Sequence, residues 1–568
     1  MSTPIGHPIA ITRRGALTLL ASSVGAVLLA ACGSASPAPT SSPSVGTPSA
    51  GAPAGSAAPS TAAAQPVTAS ASPSAAGAAA KPSGAPAAAG QPKTGGMLRT
   101  VLSSDIASLD GHVFAGGAAD TLWLIYERLT AYDLKLQPQP VLAETWDAST
   151  DYKTITFHLR KGVQFHSGRE FTSDDVKYNL VRVRDPKVGA GLFVNQSNWF
   201  TSIDTPDKYT LVLTSDQPRP LAFDLFERLY MLDKDTMEGP DAKTKANGTG
   251  PFTFVEWAQG DHFSLARNKN YWQTGRPYLD GLRVSIVKDT QALVSQFEGG
   301  SFDVARSVPL LDFVRLKSDP KYQTLANRIS TSFHVIGANI KYTPFDNKVL
   351  RQALNYAIDR KRFVDTVLQG NSTPSALPWD PAAPANETAK QAAYAFDLDK
   401  AKSLLAQSGV TGLEMDITNF PNAEGPAFSQ IYQGDLAKLG IKLNIKTPDQ
   451  AALLDVLNND KYRGLYYLPA ARAASPGSEL STDRVYDPKT NISGYQSDAY
   501  SQLVNAASTE ADPAKLQQVI SKVNDLLLDE SFAMPLAPTY PTTLMRSNVQ
   551  GAANTLFSGW QYANVWLP

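Results

Sequence analysis

A single cysteine, Cys32, stands among the 568 residues, closing the run Leu29-Ala30-Ala31-Cys32 at the end of an apolar stretch. One thiol cannot close an internal disulfide, which leaves a free thiol, an intermolecular pair or a chemically modified sulfur. Five histidines lie beyond that stretch, at positions 112, 158, 166, 262 and 334. His158 and His166 are too far apart for ligands on one element, and no further cysteine can complete a structural metal site, so neither a metal nor another cofactor is expected. The chain has no Gly-x-Ser-x-Gly elbow, no phosphate-cradling Gly-x-x-x-x-Gly-Lys-Ser/Thr loop and no His-Glu-x-x-His pair, which argues against the common hydrolytic and nucleotide chemistries. Acidic neighbours such as Asp174-Asp175 read as helix capping. A secreted hydrolase is therefore the second hypothesis. A surface scaffold is the third, and it would call for internal repeats that the chain lacks.

Cys32 is placed by what precedes it. Residues 1–31 contain no acid, carry Arg13-Arg14, and run through ALTLLASSVGAVLLA into small residues, the make-up of an export leader. Its apolar run is about 16 residues long, against roughly 20 for a membrane span. The segment resembles bacterial lipoprotein leaders, in which the cysteine thiol receives a diacylglyceryl group and becomes the mature N-terminus. Thr12-Arg13-Arg14 also resembles a twin-arginine signal, although Ala16 departs from that pattern. Residues 33–96 are almost wholly Ala, Ser, Pro, Gly and Thr, with Lys81 and Lys93 the only charges. Such a chain cannot bury enough apolar surface to offset its entropy, so 32–96 reads as a lipidated cysteine followed by a disordered tether spanning roughly 40–50 Å.

Beyond residue 96 the composition changes, and about 470 residues carry all the tryptophans and acids. That length exceeds one core, so two or more lobes are expected. The formal charge of −1 becomes −5 here, 47 basic against 52 acidic residues, once Arg13, Arg14, Lys81 and Lys93 are set aside. A weakly acidic body has no electrostatic footprint for nucleic acid. In TITFHLRKGVQF (154–165), Ile155, Phe157 and Leu159 alternate with polar residues, as in a half-buried strand, and Ser173 is placed to cap the next helix. DNKVLRQALNYAIDRKRFVDTVLQG carries a helical apolar stripe. Two further helices are expected to end at Gly409 and Gly440, the second feeding the strand IKLNIK, which suggests a wound α/β lobe over roughly 345–530.

Four blocks then carry a family resemblance: VLAETWDASTDYKTITFHLRKGVQFHSGREFTSDDVKYNL, GTGPFTFVEWAQGDHFSLARNKNYW, RPYLDGLRVSIVKDTQALVSQFEGGSFDVA and PFDNKVLRQALNYAIDRKRFVD. In order and spacing they resemble the bacterial extracellular solute-binding proteins of family 5, the peptide, oligopeptide and nickel receptors of ABC importers. The resemblance implies an α/β bilobal fold of the type II periplasmic-binding-protein kind, with a small extra domain in the first lobe and a ligand cleft between lobes. Mapped here, it implies a first lobe over 97–340, a second over 341–534 and a return to the first over 535–568. The hinge would fall at FHVIGANI (333–340) and FAMPLAPT (532–539). It also implies an ABC permease as partner, a monomeric receptor and membrane attachment through Cys32.

Peptide-binding relatives hold the ligand's α-amine with acids in a second-lobe loop that often reads Asp-x-x-Asp-Pro-Asp. The matching stretch here, LYYLPAARAASPGSEL (465–480), has Arg472, Ser475 and Gly477 in their place. The ligand is therefore expected to be a peptide met by some other carboxylate, or an oligosaccharide or small anion lacking that amine. Arg472 could grip a carboxylate or phosphate with both nitrogens. The turn HVFAGGAAD aligns with a cleft-lining loop, which nominates Phe114, Gly116 and Gly117, the glycines admitting close backbone approach. Trp199 and Trp379 stand in apparent loops where an indole could stack on a ligand. Tyr466 and Tyr467 alternate in an extended run, so one of them is expected to face the cleft.

Overall fold

A computed structural model describes residues 91–568 apart from 114–118, 241, 243, 326–329, 471–474 and 554–561. Cys32, the leader and nearly all of the tether lie outside the described residues, as do Phe114, Gly116, Gly117 and Arg472. Two large sheets organise the rest. The first has seven strands in the order Tyr322–Gln323, Leu544–Arg546, Val304–Ala305, Met97–Leu102, Gly281–Ile286, His262–Arg267 and Phe252–Ala258. Met97–Leu102 runs parallel to both its neighbours. Apolar clusters cover both faces, one around Leu98, Leu265, Leu282 and Val284, the other around Val101, Leu293, Phe297 and Leu544.

A four-stranded antiparallel sheet, ordered Ala143–Ala148, Thr154–Leu159, Thr210–Ser215 and Phe200–Asp207, is inserted between strands of the first. Ile155, Phe157 and Leu159 are buried and the intervening residues half-buried, as the alternation required. The following helix, Ser173–Arg182, starts one residue earlier than expected. Thr172 is the cap, in a reciprocal box with Asp175, because the Ser173 hydroxyl donates instead to the Asp207 carbonyl at 2.6 Å.

The second sheet is ordered Lys442–Lys446, Glu414–Asn419, Gly464–Ala470, Phe333–Ala338 and Ala533–Pro538. Glu414–Asn419 runs parallel to both neighbours, with helix Glu424–Ala437 between it and Lys442–Lys446. Gly409 and Gly440 follow their helices at φ +72° and +74°, the left-handed stop that glycine adopts without a Cβ clash. The runs expected as hinge crossings are in fact fully buried, mutually paired strands of this sheet. Buried backbone needs ladder partners, and both runs find them here. Both strands belong to the second sheet, so 333–338 and 535–538, expected in the first lobe and its C-terminal return, pack with the second instead, and the chain returns to the first sheet through 539–543. Among the described residues no helix is long and apolar enough to cross a membrane.

Candidate ligand cleft

Where chain passes between the two sheets, it leaves a cavity of ≈ 410 Å³, within the range typical of small-molecule sites. One wall is Arg306–Leu310, the segment leaving strand Val304–Ala305 of the first sheet. It is fixed by Arg306 N–H to the Val101 carbonyl at 3.2 Å and Val308 N–H to the Thr542 carbonyl at 3.0 Å. The opposite wall comes from the second sheet and its helices, with His334, Pro469, Asn422, Glu424, Leu368 and Asn371. The floor is the crossing segment, Pro538–Thr543.

Prolines, leucines and Val308 share the lining with a larger set of polar side chains, hydroxyls and amides among them. Arg306 stands on one wall and Glu424, in the first turn of helix Glu424–Ala437, on the other. His334 is buried, and burial pushes its imidazole down to about 4, so it faces the cavity uncharged at neutral pH. The Tyr467 hydroxyl lies 2.6 Å from its Nδ1 and fixes the ring. Asn422 accepts from the Gly425 N–H at 3.0 Å, which holds the loop ahead of the helix. Opposite charges on facing walls and an uncharged imidazole suit a small zwitterionic or carboxylate-bearing solute and offer no nucleophile–base pair.

A second contact joins the two bodies. Asp224, on helix Ala222–Phe226 beside the inserted sheet, accepts from the Ser475 hydroxyl at 2.5 Å and from the Tyr132 hydroxyl at 2.7 Å. Ser475 is also the N-cap of helix Pro476–Thr482. Burial pushes the Asp224 carboxyl pKa up, and the hydroxyls oppose that rise. Gly477 sits where a Cβ would come within 2.9 Å of Leu221 Cδ1 and 2.5 Å of the Ala507 carbonyl, so the small residues here permit close approach. Asp224→Ala is expected to lower stability by about 1–3 kcal/mol, since the half-buried Ser475 and Tyr132 hydroxyls lose their acceptor. An unchanged denaturation midpoint would show the contact to be idle.

The aromatic residues singled out from sequence sit elsewhere. Trp379 is buried in a core on one face of the second sheet and donates its indole N–H to Asn524 at 2.7 Å. Tyr466 belongs to that same core, with its hydroxyl 3.0 Å from Ser493 Oγ, and Tyr467 belongs to the core on the opposite face. They do alternate, but both faces are covered, so neither ring lines the cavity and only the Tyr467 hydroxyl reaches its wall, through His334. Trp199 is half-buried under the Arg219 guanidinium, 5.1 Å from the ring centroid. No local pattern in the sequence marks Arg306, Glu424, Asn371 or Asn422, and His334 stands out there only as one scattered histidine within the apolar run 333–340.

The sequence profile of the bacterial extracellular solute-binding proteins, family 5 (middle), matches residues 137–476. Heme-binding protein A of Haemophilus influenzae is 32% identical over 362 residues, covering 58% of this chain and 65% of that protein. Di/tripeptide-binding protein 1 of Pseudomonas aeruginosa is 27% identical over 467 residues, covering 76% and 86%. Among solved structures, the binding protein AgaA from A. tumefaciens R10, in complex with agropinic acid, superposes with a TM-score of 0.71 at 26% identity, over 83% of this chain and 99% of that one.

Proposed function

The chain belongs to the bacterial extracellular solute-binding proteins of family 5, and from that membership we propose that it is the capture subunit of an ABC importer. In this reading it takes a peptide-like or other small solute between two lobes and hands it to a membrane permease. The observation that carries the reading is the cavity at the sheet junction, whose walls come from both sheets. A solute touching both walls favours the closed arrangement, and only such differential contact can drive closure. The lobes are the first-sheet body, with its inserted sheet and C-terminal return, and the second-sheet body, with the hinge where the chain enters strand Phe333–Ala338 and at 539–543.

Relatives named for heme, di- and tripeptides, and agropinic acid favour an organic solute with carboxylates. Arg306 is the cleft group suited to meet one, and Glu424 is the carboxylate that would serve an amine in place of the acids missing from the 465–480 loop. No chemical turnover is part of the reading. Native mass spectrometry of the protein as isolated tests it by looking for a bound small mass. Adding that solute at 100 times its dissociation constant should then stabilise the fold by about 2.7 kcal/mol. Turnover of the solute would favour an enzyme instead.

The lipid on Cys32 and the tether after it would keep this receptor near its permease and raise its effective concentration there. Cys32→Ser is expected to move the protein from the membrane pellet to the soluble or secreted fraction. Undiminished membrane retention would remove the anchor from the account.

A further inference from the structure

A second cavity, ≈ 230 Å³, lies wholly within the first-sheet body and shares no residue with the lining of the cleft. Its walls are aromatic: Trp123, Tyr126, Tyr230, Tyr271 and Tyr562. Into it comes Arg128, only 9% exposed. One face of its guanidinium rests on Trp123, 4.2 Å from the ring centroid, and Nη2 lies 3.5 Å from Glu227 Oε1. Nη1 is buried with no hydrogen-bond acceptor. A buried N–H of a charged group left without an acceptor is costly, and the cavity beside it is where an acceptor would sit.

We propose that this cavity is a small-molecule site for a flat, uncharged aromatic compound bearing a carbonyl oxygen. The rings supply stacking and edge contacts for a flat body, and the carbonyl accepts from Arg128 Nη1. Charge decides against an anion, because two buried carboxyls, Glu127 and Glu227, already flank Arg128. Burial pushes each up to about 7, so near neutrality both carry partial negative charge. A cation finds no open carboxylate oxygen on Glu127, whose oxygens accept from Tyr271 Oη at 2.7 Å, Trp272 Nε1 at 2.8 Å and Thr249 Oγ1 at 3.0 Å. The volume lies below the roughly 300 Å³ where drug-sized sites begin, so one ring, or two fused rings, is the size that fits. Gln139 and Pro140, both exposed, form the mouth.

Calorimetric titration of the full-length protein with benzamide tests this, with benzoate as the charged comparison. Saturable one-to-one binding of benzamide is expected, unaltered by Thr542→Trp in the separate cleft and at least tenfold weaker in Arg128→Met. Gln139→Trp, a change at an exposed position that covers the mouth, should weaken it as much without disturbing the fold. Benzoate should bind more weakly than benzamide. The proposal is overturned if the folded protein shows no saturable binding of benzamide, if binding survives Gln139→Trp but is lost in Thr542→Trp, or if benzoate binds the more tightly.

Discussion

Thr542→Trp is expected to cripple solute capture while leaving the protein folded. Thr542 lies on the crossing segment and lines the cleft, half-buried. Its contribution to the fold is its carbonyl, which accepts from Val308 N–H and does not depend on the side chain. An indole at this position projects into a cavity of ≈ 410 Å³ that a solute must share. Affinity for the co-purifying solute is expected to fall by roughly 100-fold or more, about 2.7 kcal/mol. Overpacking a closed core costs about 1–3 kcal/mol, and a half-buried position facing open space should cost less. Titration calorimetry reads the first effect and the denaturation midpoint the second. Full affinity in a folded variant would move the solute site elsewhere.

Gly337→Val is the counterpart on the scaffold, and it should destabilise by about 3 kcal/mol or more. Gly337 is the penultimate residue of strand Phe333–Ala338, directly opposite Tyr466, whose ring lies across the glycine. A Cβ there would be 2.3 Å from Tyr466 Oη and 2.4 Å from its Cζ. The ring has nowhere to retreat. Tyr466 is fully buried, its hydroxyl is 3.0 Å from Ser493 Oγ, and Ser493 in turn donates to the Phe532 carbonyl at 3.0 Å. Valine's preference for strands, within about 1 kcal/mol, cannot offset that collision. A denaturation midpoint equal to that of the unmodified protein would mean that the strands separate readily here.

The parts of the fold legible from sequence are those fixed by local chemistry. Ile155, Phe157 and Leu159 declare a strand by alternation, and Gly409 and Gly440 mark helix ends through the φ they must adopt. The four family blocks carried the two-lobed architecture. The illegible parts depend on residues far apart in the chain. Asp224 and Ser475 meet across 251 positions, and no pattern near either announces it. Tyr466 and Tyr467 show how far alternation goes: it places them on opposite faces, but burial depends on what covers each face, and helices cover both. Trp379 reads as a loop residue because prolines flank its segment, yet Asn524, 145 positions on, draws its indole inside. The runs 333–340 and 532–539 read as crossings, yet are paired strands, because an apolar extended run looks the same in sequence in either place.

The central claim is that a solute is held between two bodies that close on it, and an inter-lobe distance tests this most directly. Spin labels on cysteines replacing Val255, in the first-sheet body and 57% exposed, and Leu454, in the second and 41% exposed, would report it in a Cys32→Ser background. With the solute found by native mass spectrometry, the distance distribution should become shorter and narrower, and in Thr542→Trp the solute should leave it unchanged. Stoichiometric binding of that solute with no change in the distribution of the otherwise unmodified protein would contradict the account.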